Sequence, residues 1–498
     1  MFSLDGLLQG FLILFRPDTL LFCFLGVLLG TFVGVLPGLG PVGAMALLFP
    51  VTFKQDVTTA LIMLCGIYYG AMYGGSTTSI LVNVPGEAAS VITCIEGHQM
   101  AKKGRAGPAL AIAAIGSFLA GSVGVFFLMV LAPPLGRFAL QFGPLEYFSI
   151  TLLGLFALSH LTGKSPLKSY TLMSIGVVLA TVGVDPISGY ARFTFGSQKL
   201  LEGIEFMPVI MGLYGVGEVL ASLKNSLNPQ ELKGFKNKDL IPTAQDMKES
   251  LGPIFRGGII GFFLGLTPGP ANIISTFVSY GLEKKISKKP EEFGKGAIAG
   301  LAGPESANNG ATAGALVPLL SLGVPFSPIP AILLAGFITH GVQPGPLLIR
   351  DHPQVFWGII ASMYIGNIML LILNLPLVGV FARIAVVPQK ILMPIVLVFC
   401  FLGAFAVRNS IFDLYLLIIF GVVGYIFRLK EYDPSPLALG MIVGPMLENY
   451  FRQSMVMLGG DYLGFFSQPL SGLLLSGTIL FSLYPAFRRL LKIKKAFS

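Results

Sequence analysis

The chain has 498 residues, of which 54% are apolar and only 11% charged. A typical soluble domain carries about 25% charged residues, so this composition excludes the roughly three soluble domains that the length alone would suggest. The net charge of +9 does not point to nucleic acid, because the basic residues gather in short loops and in the terminal RRLLKIKK (Arg488 to Lys495), the pattern of loops retained on the cytoplasmic side of a membrane.

Taken in order, the chain opens with MFSLDGLLQGFLILFRPD. This stretch has neither a basic leader nor a small-x-small cleavage site, so it predicts a short interfacial helix ended before Pro17 and not a cleaved signal peptide. Apolar segments follow at roughly 19–36, 57–84, 106–132, 145–163, 167–184 and 206–222. After a polar stretch come roughly 253–281, 294–324, 326–349, 355–380, 391–406, 411–428, 436–458 and 469–487. A spanning helix needs about 20 apolar residues. Several of these segments are too short or too rich in Gly, Asn and Pro, so the expectation is an all-α polytopic protein with about 12 crossings. The remaining segments should be broken or re-entrant. The segment Lys224 to Ser250 mixes both charges with Pro and Asn, and reads as a cytoplasmic linker. It divides the chain into a first membrane half (1–222), a linker (223–252) and a second half (253–498) with extra C-terminal helices.

The two halves resemble each other. Gly30, Gly34, Pro37 and Gly38, in and just before GVLPGLGP (Gly34 to Pro41), match Gly261, Gly265, Pro268 and Gly269 of GFFLGLTPGP (Gly261 to Pro270) at an offset of 231. GSTTSILV (Gly75 to Val82) aligns with GATAGALV (Gly310 to Val317) at 235, and Pro85 with Pro325 at 240. The basic loop sits after the first broken helix of the second half (Glu283 to Lys295) but one element later in the first half (Lys102, Lys103, Arg105). Under the positive-inside rule this shift predicts inverted repeats. Paired broken helices in inverted repeats are the mark of a secondary transporter, because unwound backbone at membrane depth is tolerated where it lines a solute site.

Polar residues gather at these breaks. Pro37, Gly38, Gly40, Pro85, Gly86, Pro268, Gly269, Pro270 and Pro325 are expected to shape them. Ser76, Thr77, Thr78, Asn83, Asn272, Ser306, Asn308, Asn309 and Thr312 are expected to supply oxygen and amide ligands. Glu305 is an intramembrane carboxylate and a functional candidate on that ground, with a Na+ site expected near Glu305 and Asn309. Small and hydroxylated residues also serve plain helix packing, the competing reading for each of Ser76, Thr78 and Thr312 alone. Glu87 could equally sit in an exposed loop. Glu448 and Arg452, four apart, are expected to pair across one helical turn. Asp185 and Arg192 are placed in an extracytoplasmic loop.

No GxxxxGK[ST], HExxH or GxSxG pattern is present. The four cysteines and four histidines show no metal spacing. An enzyme acting on lipid-linked substrate would need more intramembrane carboxylates or histidines, so no catalytic role is expected. A channel or ATP-driven permease subunit is the alternative, and no convincing coupling loop for an ATPase supports it.

Long blocks carry a family resemblance over nearly the whole chain. GVLPGLGP, YGGSTTSILVNVPGEAASV (Tyr73 to Val91), AKKGRAGPALAIAAIGSF (Ala101 to Phe118), FGKGAIAGLAGPESANNGATAGALVPLLSLGVP (Phe293 to Pro325) and HGVQPGPLL (His340 to Leu348) resemble the large membrane subunit of the tripartite tricarboxylate transporters, the TctA family. Gly303 stands where the pattern has alanine, and Phe326 where it has glycine. The resemblance implies a smaller membrane subunit and a periplasmic solute-binding protein as partners. It further implies import of a di- or tricarboxylate such as citrate across the bacterial inner membrane, driven by Na+ or H+ and not by ATP, with no bound cofactor.

Overall fold

Proline and glycine decide where these apolar helices stop. The computed structural model describes residues 4–36, 39–161, 165–224, 240–384, 387 and 389–496. Pro37, Gly38 and residues 225–239 of the polar stretch lie outside the described residues. Among the described residues the chain is almost wholly helical, apart from one antiparallel strand pair matching Gly183 with Arg192 and Val184 with Ala191. Eight helices are long and apolar enough to cross a membrane, and shorter apolar helices accompany them. This is an all-α polytopic membrane protein.

The GVLPGLGP segment is a point of reversal. Helix Pro17–Gly34 runs alongside helix Val57–Val82 in the same direction: Gly26 abuts Met63, Gly30 abuts Ile67 and Gly34 abuts Ala71. Gly40–Leu48 and the short helix Phe49–Thr52 must therefore carry the chain back to Val57. The turn is made with Gly40 at φ +59°, a backbone region that side chains disfavour. The second half repeats the device. Helix Ala244–Gly265 runs parallel to Ile298–Leu322, with Gly257, Gly261 and Gly265 against Gly303, Ala307 and Ala311. Ala271–Ile286 then returns, bringing Asn272 beside Asn308 and Ser279 beside Gly303.

The expected single segment 253–281 is thus a helical hairpin. Its first arm begins at Ala244, inside the stretch read as linker, because Thr243 and Asp246 form a reciprocal capping box. Its polar first turns hide it from a hydropathy reading. The arms are braced by Arg256, whose Nε and Nη2 donate to the two oxygens of Glu283 at 2.8 and 2.7 Å.

Glycine packing also fixes the repeat register. Gly70 and Gly74 lie against Val27 and Thr31, as Gly310 and Gly314 lie against Gly258 and Phe262. The long helices therefore correspond at an offset of 240 over their whole length (70 to 310, 74 to 314), through to the left-handed caps Asn83 (φ 57°) and Gly323 (φ 73°). The 235 alignment of GSTTSILV with GATAGALV is a five-residue slip. Side-chain likeness misled there, because the Gly70 and Gly310 contacts depend on backbone approach and not on the flanking polar residues.

The long helices run antiparallel to one another. Ser76 meets Glu305, while Ile80 and Leu301, four residues away in opposite senses, both pack on Gly97. The repeats are inverted. Each long helix also packs beside one from the other half. Ala106–Ala139 runs parallel to Ile298–Leu322, through Gly116, Gly124 and Gly136. Pro353–Asn374 runs parallel to Val57–Val82, through Gly358 and Gly366. Around this centre sit two further groups. Pro144–Leu161, Pro166–Ala180, Ser435–Met457 and Pro469–Ala496 form one; 206–224, Gln389–Arg408 and Ile411–Leu429 form the other.

Candidate functional site

Each hairpin tip lands on the break that ends a long helix. At the first, Gly86 lies so close that a Cβ would stand 2.4 Å from Gly75 Cα and 2.9 Å from the Gly34 carbonyl oxygen. At the second, Gly269 (φ +130°) donates its N–H to the Phe326 carbonyl at 2.9 Å. Pro270 starts the returning arm, Pro268 is half-buried, and Pro325 is buried behind the tip. Gly40, Gly86, Pro268, Gly269, Pro270 and Pro325 thus shape the two tips.

Where the two long helices meet lies Glu305, 2% exposed. Its carboxylate accepts hydrogen bonds from two residues of the first half: Ser76, at 2.7 Å to Oε2, and Thr93, to Oε1. A buried carboxylate is costly unless its lone pairs are met, and these hydroxyls meet them. Beside it is a small cavity lined by Tyr73, Ser76, Thr77, Ser117, Glu305 and Asn374. Asn374 Nδ2 donates to the Leu370 carbonyl at 3.0 Å, while its Oδ1 is buried without a partner among the described residues. The cavity thus presents oxygen acceptors from both halves.

A second network joins the first break to the second hairpin. Asn308 Nδ2 donates to Glu87 Oε1 at 2.7 Å. Asn272 Nδ2 donates to the Asn308 carbonyl and side chain at 2.9 Å each, and to Thr312 at 3.0 Å. Asn309 donates to Ser117 Oγ at 2.7 Å and to the Glu305 carbonyl at 3.1 Å. Ser306 is fully buried, packed against Gly116, and its hydroxyl has no partner among the described residues.

Two expected ligands stand elsewhere. Thr78 is fully buried and turns its hydroxyl to the Gly75 carbonyl at 3.3 Å. Asn83 is exposed and serves as the left-handed cap of Val57–Val82, a position where asparagine is tolerated in place of glycine. Thr78 thus satisfies the local backbone, as a short polar side chain in a helix tends to do, and Asn83 ends the helix by its left-handed backbone.

Sequence reasoning missed Thr93, Ser117, Tyr73, Asn367 and Asn374. Tyr73 donates to Asn367 Oδ1 at 3.0 Å, and Asn367 Nδ2 reaches the Phe118 carbonyl and Ser122 at 3.0 and 3.2 Å. For Tyr73, Ser117, Asn367 and Asn374 a polar residue inside an apolar run was the available signal, whereas Thr93 lies between two such runs. Glu96 was also missed. It is fully buried and accepts from Tyr280 and from the backbone N–H groups of Gly294, Gly296 and Ala297 at 2.5–2.8 Å. It thereby caps the start of Ile298–Leu322 with a carboxylate from the other half. Among the described residues no group of three His, Cys, Asp or Glu could hold a metal ion.

Inverted repeats with paired broken helices and a buried polar interface between them are the architecture of a membrane transport component. Residues 20–439 match the family described as the tripartite tricarboxylate transporter TctA family, and the chain belongs to it. It is 44% identical over 488 residues, 97% of each chain, to an uncharacterized 52.8 kDa protein in the TAR-I ttuC' 3' region of Agrobacterium vitis. It is 42% identical over 231 residues to an uncharacterized protein in the TAR-II ttuC' 3' region of the same organism, 46% of this chain and 96% of the relative. No solved structure matches.

Proposed function

We propose that the chain is the transporting subunit of a secondary importer for an organic carboxylate, a tricarboxylate such as citrate or a dicarboxylate, coupled to Na+ or H+. The carrying observation is Glu305, buried where the two long antiparallel helices meet and held by Ser76 and Thr93 across the repeat interface. Alkali cations favour clustered oxygen ligands at such breaks. Glu305, Thr77 and the unpartnered Asn374 Oδ1 are the residues that would hold Na+; Asn309 orients Glu305 through its backbone carbonyl. In a proton-coupled cycle, Glu305 itself would carry the proton. The helix breaks with Pro85 and Pro325 would let the tips part from Gly86 and Phe326, and one bundle would move against the outer helices to alternate access.

The basic ends of the chain orient it. Lys103 Nζ donates to the Lys295 carbonyl at 2.6 Å, and Arg105 pairs with Asp246 at 2.5 Å. This end, where the halves 1–222 and 253–498 are joined by the polar linker, would face the cytoplasm of a bacterial inner-membrane protein. A smaller membrane subunit and a periplasmic solute-binding protein would complete the system.

The test is uptake of labelled citrate into proteoliposomes with both partners, under a Na+ gradient, a proton gradient, or neither. Gradient-driven uptake lost in Glu305→Gln is expected. Uptake that ignores ionophores and needs only ATP would sink the reading in favour of a permease subunit. Uptake unchanged by Glu305→Gln would remove that carboxylate from coupling.

A further inference from the structure

A second carboxylate at the repeat interface stands without a positive partner. Glu87 follows the first break, where Gly86 packs on Gly75 and on the Gly34 carbonyl. A Cβ at Gly75 would stand 3.4 Å from Glu87 Cγ, so this side chain rests on helix Val57–Val82 one residue from Ser76, which holds Glu305. Glu87 is half-buried. Its Oε1 accepts from a neutral amide, Asn308 Nδ2, at 2.7 Å. Among the described residues no Lys, Arg or His pairs with it, and the charge within its reach is that of Glu305, of the same sign. Two neighbouring carboxylates held by one amide and two hydroxyls are short of positive charge.

The surroundings are rich in oxygens and poor in hydrogens to share among them. Asn272 Nδ2 carries two hydrogens, yet it faces three oxygens: the Asn308 carbonyl and Asn308 Oδ1 at 2.9 Å each, and Thr312 Oγ1 at 3.0 Å. The Thr312 hydroxyl gives its own hydrogen to the Asn308 carbonyl at 3.0 Å. Tyr68 is fully buried beside Thr312 and within electrostatic reach of Glu87, and its hydroxyl makes no hydrogen bond among the described residues. A polar group buried unpaired is costly. These contacts place the Glu87 carboxylate, the Asn308 and Thr312 oxygens and the Tyr68 hydroxyl in one contiguous patch. Na+ takes several oxygens at once at such helix breaks, whereas a proton joins only two.

We propose that Glu87 anchors a second ion, a Na+ held with the Thr312 and Tyr68 hydroxyls, beside the cation position at Glu305. In the 240 register Glu87 corresponds to Ser327 and not to Glu305, so the two ions lie on the same polar side of the interface and belong to one site. The ion gives the bridge between the repeats a purpose. Glu87 of the first break, Asn308 of the long helix and Asn272 of the second hairpin gather around it, and its departure would leave like charges facing each other there. Charge balance supplies its use. A di- or tricarboxylate carries two or three negative charges, so a single cation leaves the load negative against an inside-negative potential, and two cations offset a dicarboxylate. That use rests on the carboxylate-transport reading above; the ion site itself does not.

The test is equilibrium binding of radioactive Na+ to the full purified chain in lipid nanodiscs, with choline as the balancing cation and no solute or partner present. Glu305→Gln should still bind Na+, and adding Glu87→Gln should abolish that binding. Glutamine keeps an oxygen for the Asn308 amide, so the loss would report the missing charge and not that bond. In the Glu305→Gln background, Tyr68→Phe should raise the Na+ concentration for half-saturation about tenfold, as loss of one oxygen ligand predicts, and it serves where the double glutamine variant fails to fold by its melting curve. Na+ binding that survives Glu87→Gln, or that Tyr68→Phe leaves unmoved, overturns the site, as does a folded Glu305→Gln chain that binds no Na+. Solute uptake by the unsubstituted chain separates the two readings. Na+ bound at Glu87 with no uptake under any gradient would sink the transport reading and leave the ion site standing; uptake by a chain without Glu87-dependent binding would do the reverse.

Discussion

The two long helices share one backbone plan and differ in where their polar residues fall. In register, Glu305 corresponds to Cys65, and Ser76 and Thr77 correspond to Leu316 and Val317 (offset 240, fixed by the glycine contacts). Cys65, Leu316 and Val317 are all fully buried. The pseudo-twofold therefore relates the polar residues of the cavity to buried Cys65, Leu316 and Val317. Inverted repeats supply the two hairpins, but side-chain choice makes one site and not two. The tips differ likewise. The first leaves Asn83 and Pro85 exposed, whereas the second is sealed by buried Pro325 and Phe326.

The strongest way to break the comparison is to disturb the shared plan. A Cβ at Gly261 would stand 2.0 Å from the Ala307 carbonyl oxygen, so Gly261→Ala should cost about 3 kcal/mol or abolish folding. Gly281, on the returning arm, has open space around it, and Gly281→Ala should leave the melting temperature unchanged or raised. Equal losses at both would show that close helix approach is not what fixes the register.

The next test contrasts the two register-related positions. Glu305→Gln should lower gradient-driven uptake by about a hundredfold, whereas Cys65→Ser should leave it within about twofold, because it exchanges one small neutral side chain for another and removes no intramembrane charge. Comparable losses would mean that the apolar counterpart is itself a site. Thr93→Val removes one donor to the Glu305 carboxylate and should reduce uptake about tenfold, with the protein still folded by its melting curve.

Smaller effects sharpen the tips and the outer end. Asn83→Gly should be nearly silent in uptake and stability, while Asn83→Val should cost about 1 kcal/mol, since a β-branched residue resists the left-handed region. The Ile187 N–H, the Ser188 hydroxyl and Arg452 hold the Asp185 carboxyl well below the usual carboxylate range. Its stabilising contribution is complete above its unfolded value of about 3.9 and is lost only as pH falls further through the depressed folded value. The melting-temperature difference between Asp185→Asn and the parent should therefore stay constant from about pH 6 to 8; a difference that shrank across that window would contradict the array of charges.

Much was legible in the residues because the signals were local. Apolar runs gave the helices, paired Pro-Gly motifs gave the breaks, and lysine placement gave the inversion. Glu305 was found because an intramembrane carboxylate is costly unless used. The capped start at Ala244, the 240 register and the sorting of Ser76 from Thr78 were not legible. Ser76 and Thr78 sit two apart in one polar run, yet only the first points at Glu305.

The sequence by itself determined the membrane class, the repeated halves, the breaks and the family blocks, since each depends on composition or spacing within a short window. Tertiary structure alone decided that the chain reverses at both breaks, that Thr93, Ser117 and Asn374 join Glu305, and that Arg192 of the strand pair meets Glu448 of helix Ser435–Met457. Those partners lie tens to hundreds of residues apart, and it is the packing of backbone on glycine that brings them together.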